Sequence, residues 1–489
     1  MIAFAYGCAA QSQPQVSLQT QNAAQTQPAA MLSETPIVFE AQSGQTAPAF
    51  EGTFNVPENR ADPNSRTLTL HYVRFPATGD KKGAPIVYLA GGPGGSGIQT
   101  AKYRRLPLFL AMREFGDVIA LDQRGTGASN DTPGCTSSQI VDVRRDVSDA
   151  EFLKMHQTAL KECLEFWAQE NIDVRGYTTP ENVADLEVLR IHLGADRLSL
   201  WGISYGSHMA LVAIKQMGDR IDRVVIASAE GLAQTIKQPA RTDAYFARLQ
   251  TAINTQPSAK AQFSDINAMM RRVHARLEAA PLLIQIPQKD GEAVDYVLHR
   301  RDMQLVASAM ISDPGRAGQL LQIYDQLDKG NSNPLAGVLQ RWYQPGKGIS
   351  YRVMPVMMDI ASGIGADTRK MIEKQAETSL LGVYLNDTLG LVDVDPSFDL
   401  GDQFREKPVS DVPLLLLTGT LDGRTYIESQ YEAVSGLSHA QKVRVTNAGH
   451  NLFMLSATEV RPGVLAAIQA FMRGGSVDGR EVIAELPEF

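Results

Sequence analysis

Gly202-Ile-Ser-Tyr-Gly206 is the first stretch of this chain in which residue types and spacing carry chemistry. It follows the apolar run Leu198-Ser-Leu-Trp201 and leads into the helical pattern that starts at Ser207. Glycines on both sides of a serine let the backbone turn sharply, which lifts the hydroxyl clear of a sheet edge. The amide of Tyr205, at the helix start, then points to the same place and offers one oxyanion donor. A nucleophilic serine needs a base, and the base needs an orienting acid. Of the eight histidines, only His439 and His450 lie beyond the later strand patterns. His450 follows the run 442–446 in the loop Asn447-Ala-Gly-His-Asn451, where it can reach over the sheet edge, whereas His439 precedes that run. The acid should leave the end of the preceding strand, and Leu414 to Leu417 leads to Asp422. The order serine, acid, histidine is the one expected around such a turn. Gly91-Gly-Pro-Gly-Gly-Ser-Gly97 ends an earlier apolar run, and because Pro93 has no N–H, Gly92 is the expected second oxyanion donor. That loop fits neither the dinucleotide nor the P-loop template, since no GxGxxG occurs and no Lys-Ser/Thr follows its last glycine.

The elements that position these residues read as an α/β chain. Ile86 to Ala90, Val118 to Leu121, Leu198 to Trp201 and Val224 to Ala227 are short apolar runs bounded by glycine or polar turns, the pattern of fully buried parallel strands. Ahead of them, residues 54–60 and 68–74 bracket a turn rich in Asp, Pro, Asn and Ser, a hairpin signal. Thr178, Pro180 and Glu181 predict a capped helix start; Val183, Leu186, Leu189 and Leu193 share one face before Gly194. Strand, helix and strand in that order predict a right-handed parallel sheet. Residues 232–405 break the rhythm, reading as amphipathic helices such as 261–277 and 300–311, with joints at 329–334 and 345–348. The expected organisation is a leader and low-complexity linker at 1–36, a core at 37–231, a helical cap at 232–405 and the rest of the core at 406–489.

Composition excludes several classes. Apolar residues at 44% and charged residues at 20% fit a globular chain rather than a disordered one. The net charge of −8 shows no basic stripe, which argues against nucleic-acid partners. No apolar run is long enough for a transmembrane helix. The three cysteines form no metal-ligand spacing, so a zinc site is not expected, and a serine triad needs neither metal nor cofactor. Cys135 and Cys163 either pair, in an oxidising compartment, or stand as two buried thiols. Residues 9–35 are almost wholly Ala, Gln, Ser, Thr and Pro, and the short apolar piece before them ends in Gly7-Cys8, similar to the tail of a lipoprotein signal. The expectation is an exported protein, periplasmic or lipid-anchored at Cys8, with the cytoplasm as the alternative.

Taken together, Gly91-Gly-Pro-Gly-Gly95, Asp122-Gln-Arg-Gly-Thr-Gly127, Tyr177-Thr-Thr, Asp185-Leu, Gly202-Ile-Ser-Tyr-Gly206, Leu421-Asp-Gly-Arg-Thr425 and Gly449-His450 resemble the proline iminopeptidase and tripeptidyl aminopeptidase family of α/β-hydrolases. The likeness spans about 50–232 and 410–455 and departs in two places. Ala90 stands where many proline-releasing members have His, and the cap lacks the cysteines of some exported relatives. The resemblance implies an α/β-hydrolase fold, with a mostly parallel sheet flanked by helices under an inserted cap, and cleavage at the amino terminus of short peptides. Such an enzyme needs a carboxylate for the substrate ammonium, and Glu230 is the first candidate, Asp359 the second. Asp122 and Arg124 are expected to brace the loop below the site, Ser207 and His208 to cap and pack, and Trp342 and Tyr343 to line the cap pocket. A small-molecule esterase or amidase with the same triad, and a silent binding protein on the same scaffold, are the alternatives.

Overall fold

A computed structural model describes residues 33–80, 83–288, 291–342, 346–386, 388–456 and 462–489. Cys8, Tyr343 and the side chain of Trp342 therefore lie outside the described residues, as does most of the leader.

Three long strands open the chain: β1 (Glu34–Glu40), β2 (Thr46–Pro57) and β3 (Thr67–Phe75). Side chains along β2 alternate between exposed and buried, as an antiparallel strand with one wet face requires. β4 (Ile86–Leu89) and β5 (Val118–Leu121) are buried at every position. β6 (Cys135–Thr136) is short; β7 (Leu198–Ile203) and β8 (Ile221–Ala227) continue the core. Within the insertion come β9 (Leu282–Ile286), β10 (Val294–Leu298) and β11 (Ser350–Tyr351), and β12 (Leu414–Gly419), β13 (Ala440–Thr446) and β14 (Glu481–Ile483) close the sheet.

Among the described residues ten strands form one sheet in the order β1-β2-β3-β5-β4-β7-β8-β12-β13-β14. The pairs from β1 to β5 are antiparallel and every pair from β5 to β14 is parallel. The chain leaves β4 for β5 on one side and later takes up β7 on the other. The carboxyl ends of β4 and β7 thus flank a topological switch point, the place where open α/β sheets form crevices.

The helix Thr179–His192 ends close to the expected limits, but the Thr178 hydroxyl makes no cap bond. Glu181, which would complete a capping box, instead takes the amide and guanidinium of Arg60. The stretch 261–277 is two helices, Pro257–Gln262 and Ile266–Ala279, because the Asp265 side chain caps the Ala268 amide and starts the second one afresh. The insertion also contains the antiparallel hairpin β9–β10, which the helical reading did not anticipate. Cys135 and Cys163 are disulfide-bonded, tying the short β6–β11 pair to the helix Asp149–Gln169. No helix among the described residues is long and apolar enough to cross a membrane.

Candidate active site

Ser204 sits between β7 and the helix Tyr205–Met217 with φ 55° and ψ −127°, a conformation that costs a non-glycine residue about 1–3 kcal/mol. The flanking glycines make the turn possible by close approach. A methyl group at Gly206 would stand 2.0 Å from the Leu89 carbonyl oxygen, and one at Gly202 would stand 2.5 Å from the Gly206 carbonyl oxygen. The approach of β4 to Gly206 and of the helix start to Gly202 therefore leaves room for glycine alone on either side of the serine. The Ser204 amide donates to Ala227 O of β8 at 3.2 Å.

The glycine loop after β4 runs beside the serine: a methyl at Gly91 would lie 3.0 Å from Ser204 Cβ. Among the described residues neither the Gly92 nor the Tyr205 amide has a hydrogen-bond acceptor. Gly92 lines the cavity above Ser204; Tyr205 does not. Its side chain turns into the core, where the hydroxyl meets Met358 Sδ at 2.9 Å and Thr179 Oγ1 at 3.2 Å. Its backbone nonetheless opens a helix of 13 residues, whose amino end favours negative charge.

Asp422 lies just past β12 and is fully buried. Its Oδ1 accepts from the Arg424 and Thr425 amides at 2.8 and 2.9 Å, and its Oδ2 from Thr425 Oγ1 at 2.7 Å. His450 Nδ1 stands 3.0 Å from Oδ2 and 3.1 Å from Oδ1. Burial opposes the charge on Asp422, yet the His450 imidazole and these donors hold its carboxyl below the usual carboxylate range. An ionised Asp422 at Nδ1 favours the His450 tautomer with its free lone pair on Nε2.

His450 is held from both sides. Its amide donates to Ser312 O at 2.8 Å, and its carbonyl accepts from Ser228 Oγ at 2.6 Å. Ser228 itself has φ 51°, one of four non-glycine residues with positive φ among those described. Sequence reading assigned no role to Ser228; its place at the end of an apolar run was the one available signal. Ser204 and His450 line one cavity of about 670 Å³, but no hydrogen bond joins their side chains among the described residues. The same cavity is lined by Gly92, Glu230 and Asp359, and Asp422 lies outside its lining.

The other expected residues fall into place by contact. Asp122 accepts from Ser96 Oγ at 2.5 Å, Ile98 N at 3.0 Å and Ala128 N at 2.8 Å, binding the glycine loop to the turn after β5. Arg124, fully buried, grips both Asp185 oxygens at 2.6 and 2.7 Å and donates to Glu58 O and Gly176 O. Ser207 Oγ donates to Ser204 O and accepts from the Glu230 amide at 2.9 Å, so it ties Glu230 to the serine turn. His208 is fully buried and stacks on Tyr205 at 5.8 Å. Glu230 carries a partner that sequence reading missed: Lys237 Nζ lies 2.6 Å from its Oε2. Asp359, on the helix Val353–Ser362, faces the cavity from the insertion.

Residues 84–457 match the family model described as alpha/beta hydrolase fold. A stretch of 186 residues is 28% identical to the serine protease Hip1 of Mycobacterium tuberculosis, covering 36% of this chain and 35% of that protein. An equal stretch is 28% identical to the tripeptidyl aminopeptidase of Streptomyces lividans, covering 36% of this chain and 34% of that one. A stretch of 154 residues is 27% identical to carboxylesterase B of M. tuberculosis, covering 31% and 29%. The matches thus span about a third of the length of these curated relatives.

Proposed function

The chain belongs to the alpha/beta hydrolase fold family, and on that premise we propose that it is a serine aminopeptidase acting on short peptides through an acyl-enzyme. The observation that carries this reading is Ser204 on its strained turn, sharing a cavity with His450, whose Nδ1 meets the buried Asp422 at 3.0 Å. His450 Nε2 takes the Ser204 proton as Oγ attacks the scissile carbonyl, and the Gly92 and Tyr205 amides receive the oxyanion. The hydrogen bond between His450 and Ser204 forms as substrate is drawn against those amides, since such bonds are often loose in an empty site. His450 then gives its proton to the leaving amine, and water, deprotonated by the same imidazole, frees the acyl product.

The peptidase assignment is supported by the likeness to Hip1 and to the tripeptidyl aminopeptidase. Glu230 and Asp359 supply the negative charge for the substrate ammonium. Lys237 Nζ, 2.6 Å from Glu230 Oε2, offsets part of that charge. The Glu230–Lys237 pair also favours a second reading, an esterase or amidase that needs no amine anchor. A free-amine peptide anilide and its N-acetyl counterpart separate the two. The aminopeptidase reading expects kcat/KM to fall at least about 10-fold on acetylation, as loss of a charged hydrogen bond would cause, and Asp359→Asn to shrink that ratio. Equal turnover of both substrates would remove it.

A further inference from the structure

The cavity holds three cations, Arg105, Lys237 and Arg424, against two carboxylates, Glu230 and Asp359. The cations differ in how they are matched. Lys237 is spent on Glu230 at 2.6 Å. Neither Arg105 nor Arg424 has an acidic side chain within ion-pair distance among the described residues; their partners are neutral. Arg105 Nη1 donates to the Tyr88 hydroxyl, and its Nη2 lies 3.4 Å from Asn451 Oδ1. Arg424 Nη1 lies 3.3 Å from Ser308 O. Both guanidinium groups are partly buried, so their charge is only partly screened and an anion in the cavity gains by meeting them.

Their place along the chain fixes which part of a substrate they meet. Asn451, the neighbour of Arg105, directly follows His450. Arg424 stands between Asp422 and Thr425, whose Oγ1 is 3.4 Å from His450 Nδ1. The imidazole must hand its proton to the leaving amine, so the leaving portion lies on the His450 side of the cavity. We propose that Arg105 and Arg424 form a carboxylate-binding subsite for the leaving portion, which makes the preferred substrates short peptides that release a single residue carrying a carboxylate. The α-carboxylate of that residue is only two bonds from the scissile nitrogen, and a guanidinium fork matches a carboxylate in two-pronged fashion. A free ammonium at one wall and a carboxylate at the other make the ligand a zwitterion. This inference rests on the aminopeptidase reading and narrows its substrate class.

The test uses the full chain and a series of free-amine di- to tetrapeptides, each as the C-terminal acid and as the C-terminal amide, with products identified by mass. The expected result is kcat/KM about 10- to 100-fold higher for the acid whenever one residue leaves, the loss typical of a removed charged hydrogen bond. An amide with Asp as the leaving residue distinguishes the sources. Recovery of turnover assigns the subsite to any nearby carboxylate; no recovery assigns it to the α-carboxylate. In Arg105→Gln and Arg424→Gln the acid-to-amide ratio should collapse toward about 1. Equal turnover of acid and amide by the unaltered enzyme would overturn the subsite, and so would a ratio unchanged in both variants. A free-amine anilide, which bears no carboxylate, separates the failures: its turnover alongside an acid-to-amide ratio of about 1 leaves the peptidase reading standing and removes only the subsite.

Discussion

Beneath the cavity floor, Arg124 and Asp185 are matched donor for acceptor and shut away from water; on the cavity walls, the guanidinium groups of Arg105 and Arg424 have no acidic side chain within ion-pair distance among the described residues. The floor resembles a protein interior, where an unpaired charge is costly and buried charges are paired. Asp422 belongs to it, with both oxygens engaged by backbone, threonine and imidazole. The walls keep charge in reserve. The difference separates two tasks under the proposed function: the floor would hold the reacting groups in fixed geometry, and the walls would offer unmatched charge to a ligand.

That contrast breaks most sharply at the serine. Ser204→Ala should lower turnover of every substrate by about 10⁶-fold, as where triad members act as one unit. Steady-state kinetics on ester and peptide substrates alike would check it, and a loss confined to peptides would blur floor and wall. Asp422→Asn should follow, with kcat down by about 10⁴-fold and KM little changed, because the imidazole loses its tautomer preference.

Arg124→Leu probes the floor without touching the cavity. It should cost about 3–5 kcal/mol of stability in urea unfolding by leaving Asp185 and three backbone carbonyls short of donors. A change under 1 kcal/mol would show that the buried network is dispensable.

The smallest effect concerns the insertion and its edge. Burial pushes His156 and His274 down to about 4, where they stand 3.0 and 2.7 Å from the Tyr351 and Tyr324 hydroxyls. Each therefore stays neutral when folded and takes up a proton when unfolded between the ordinary histidine value and 4. Stability present at neutral pH is lost as pH falls through that window, by up to about 3 kcal/mol for each group. Urea midpoints at two pH values, about 7.5 and 4.5, should differ accordingly, and His274→Gln should flatten the difference. An unchanged slope in that variant would place the acid sensitivity elsewhere.

The floor was more legible in the sequence than the walls, for a physical reason. Buried parallel strands must be apolar and must end in tight turns, so β4, β7, β8 and β12 stand out as Val/Ile/Leu runs ending at glycines, serines or an aspartate. Residues 198–206 therefore announce both a strand end and the serine on its tight turn. The walls depend on which side chains meet across distant loops. Lys237 reaches Glu230 only because the chain folds back after β8, and nothing in the residues 230–237 predicts that pairing. Arg105 and Arg424 carry no local mark, since they are defined by the acids they lack. The β9–β10 hairpin was hidden for a related reason: β9, Leu282-Leu-Ile-Gln-Ile286, buries only Ile284 and Ile286, too weak an alternation to stand apart from the helices around it. Ser228 shows the same limit, since its bond to the His450 carbonyl joins residues 222 positions apart.

Labelling the full chain with a fluorophosphonate and locating the adduct by peptide mass spectrometry tests the central claim most directly. A single phosphonyl group is expected on Ser204, absent in Ser204→Ala and formed far more slowly in a variant lacking the His450 imidazole. An adduct on another residue, or none under conditions that label an active serine hydrolase, would contradict it.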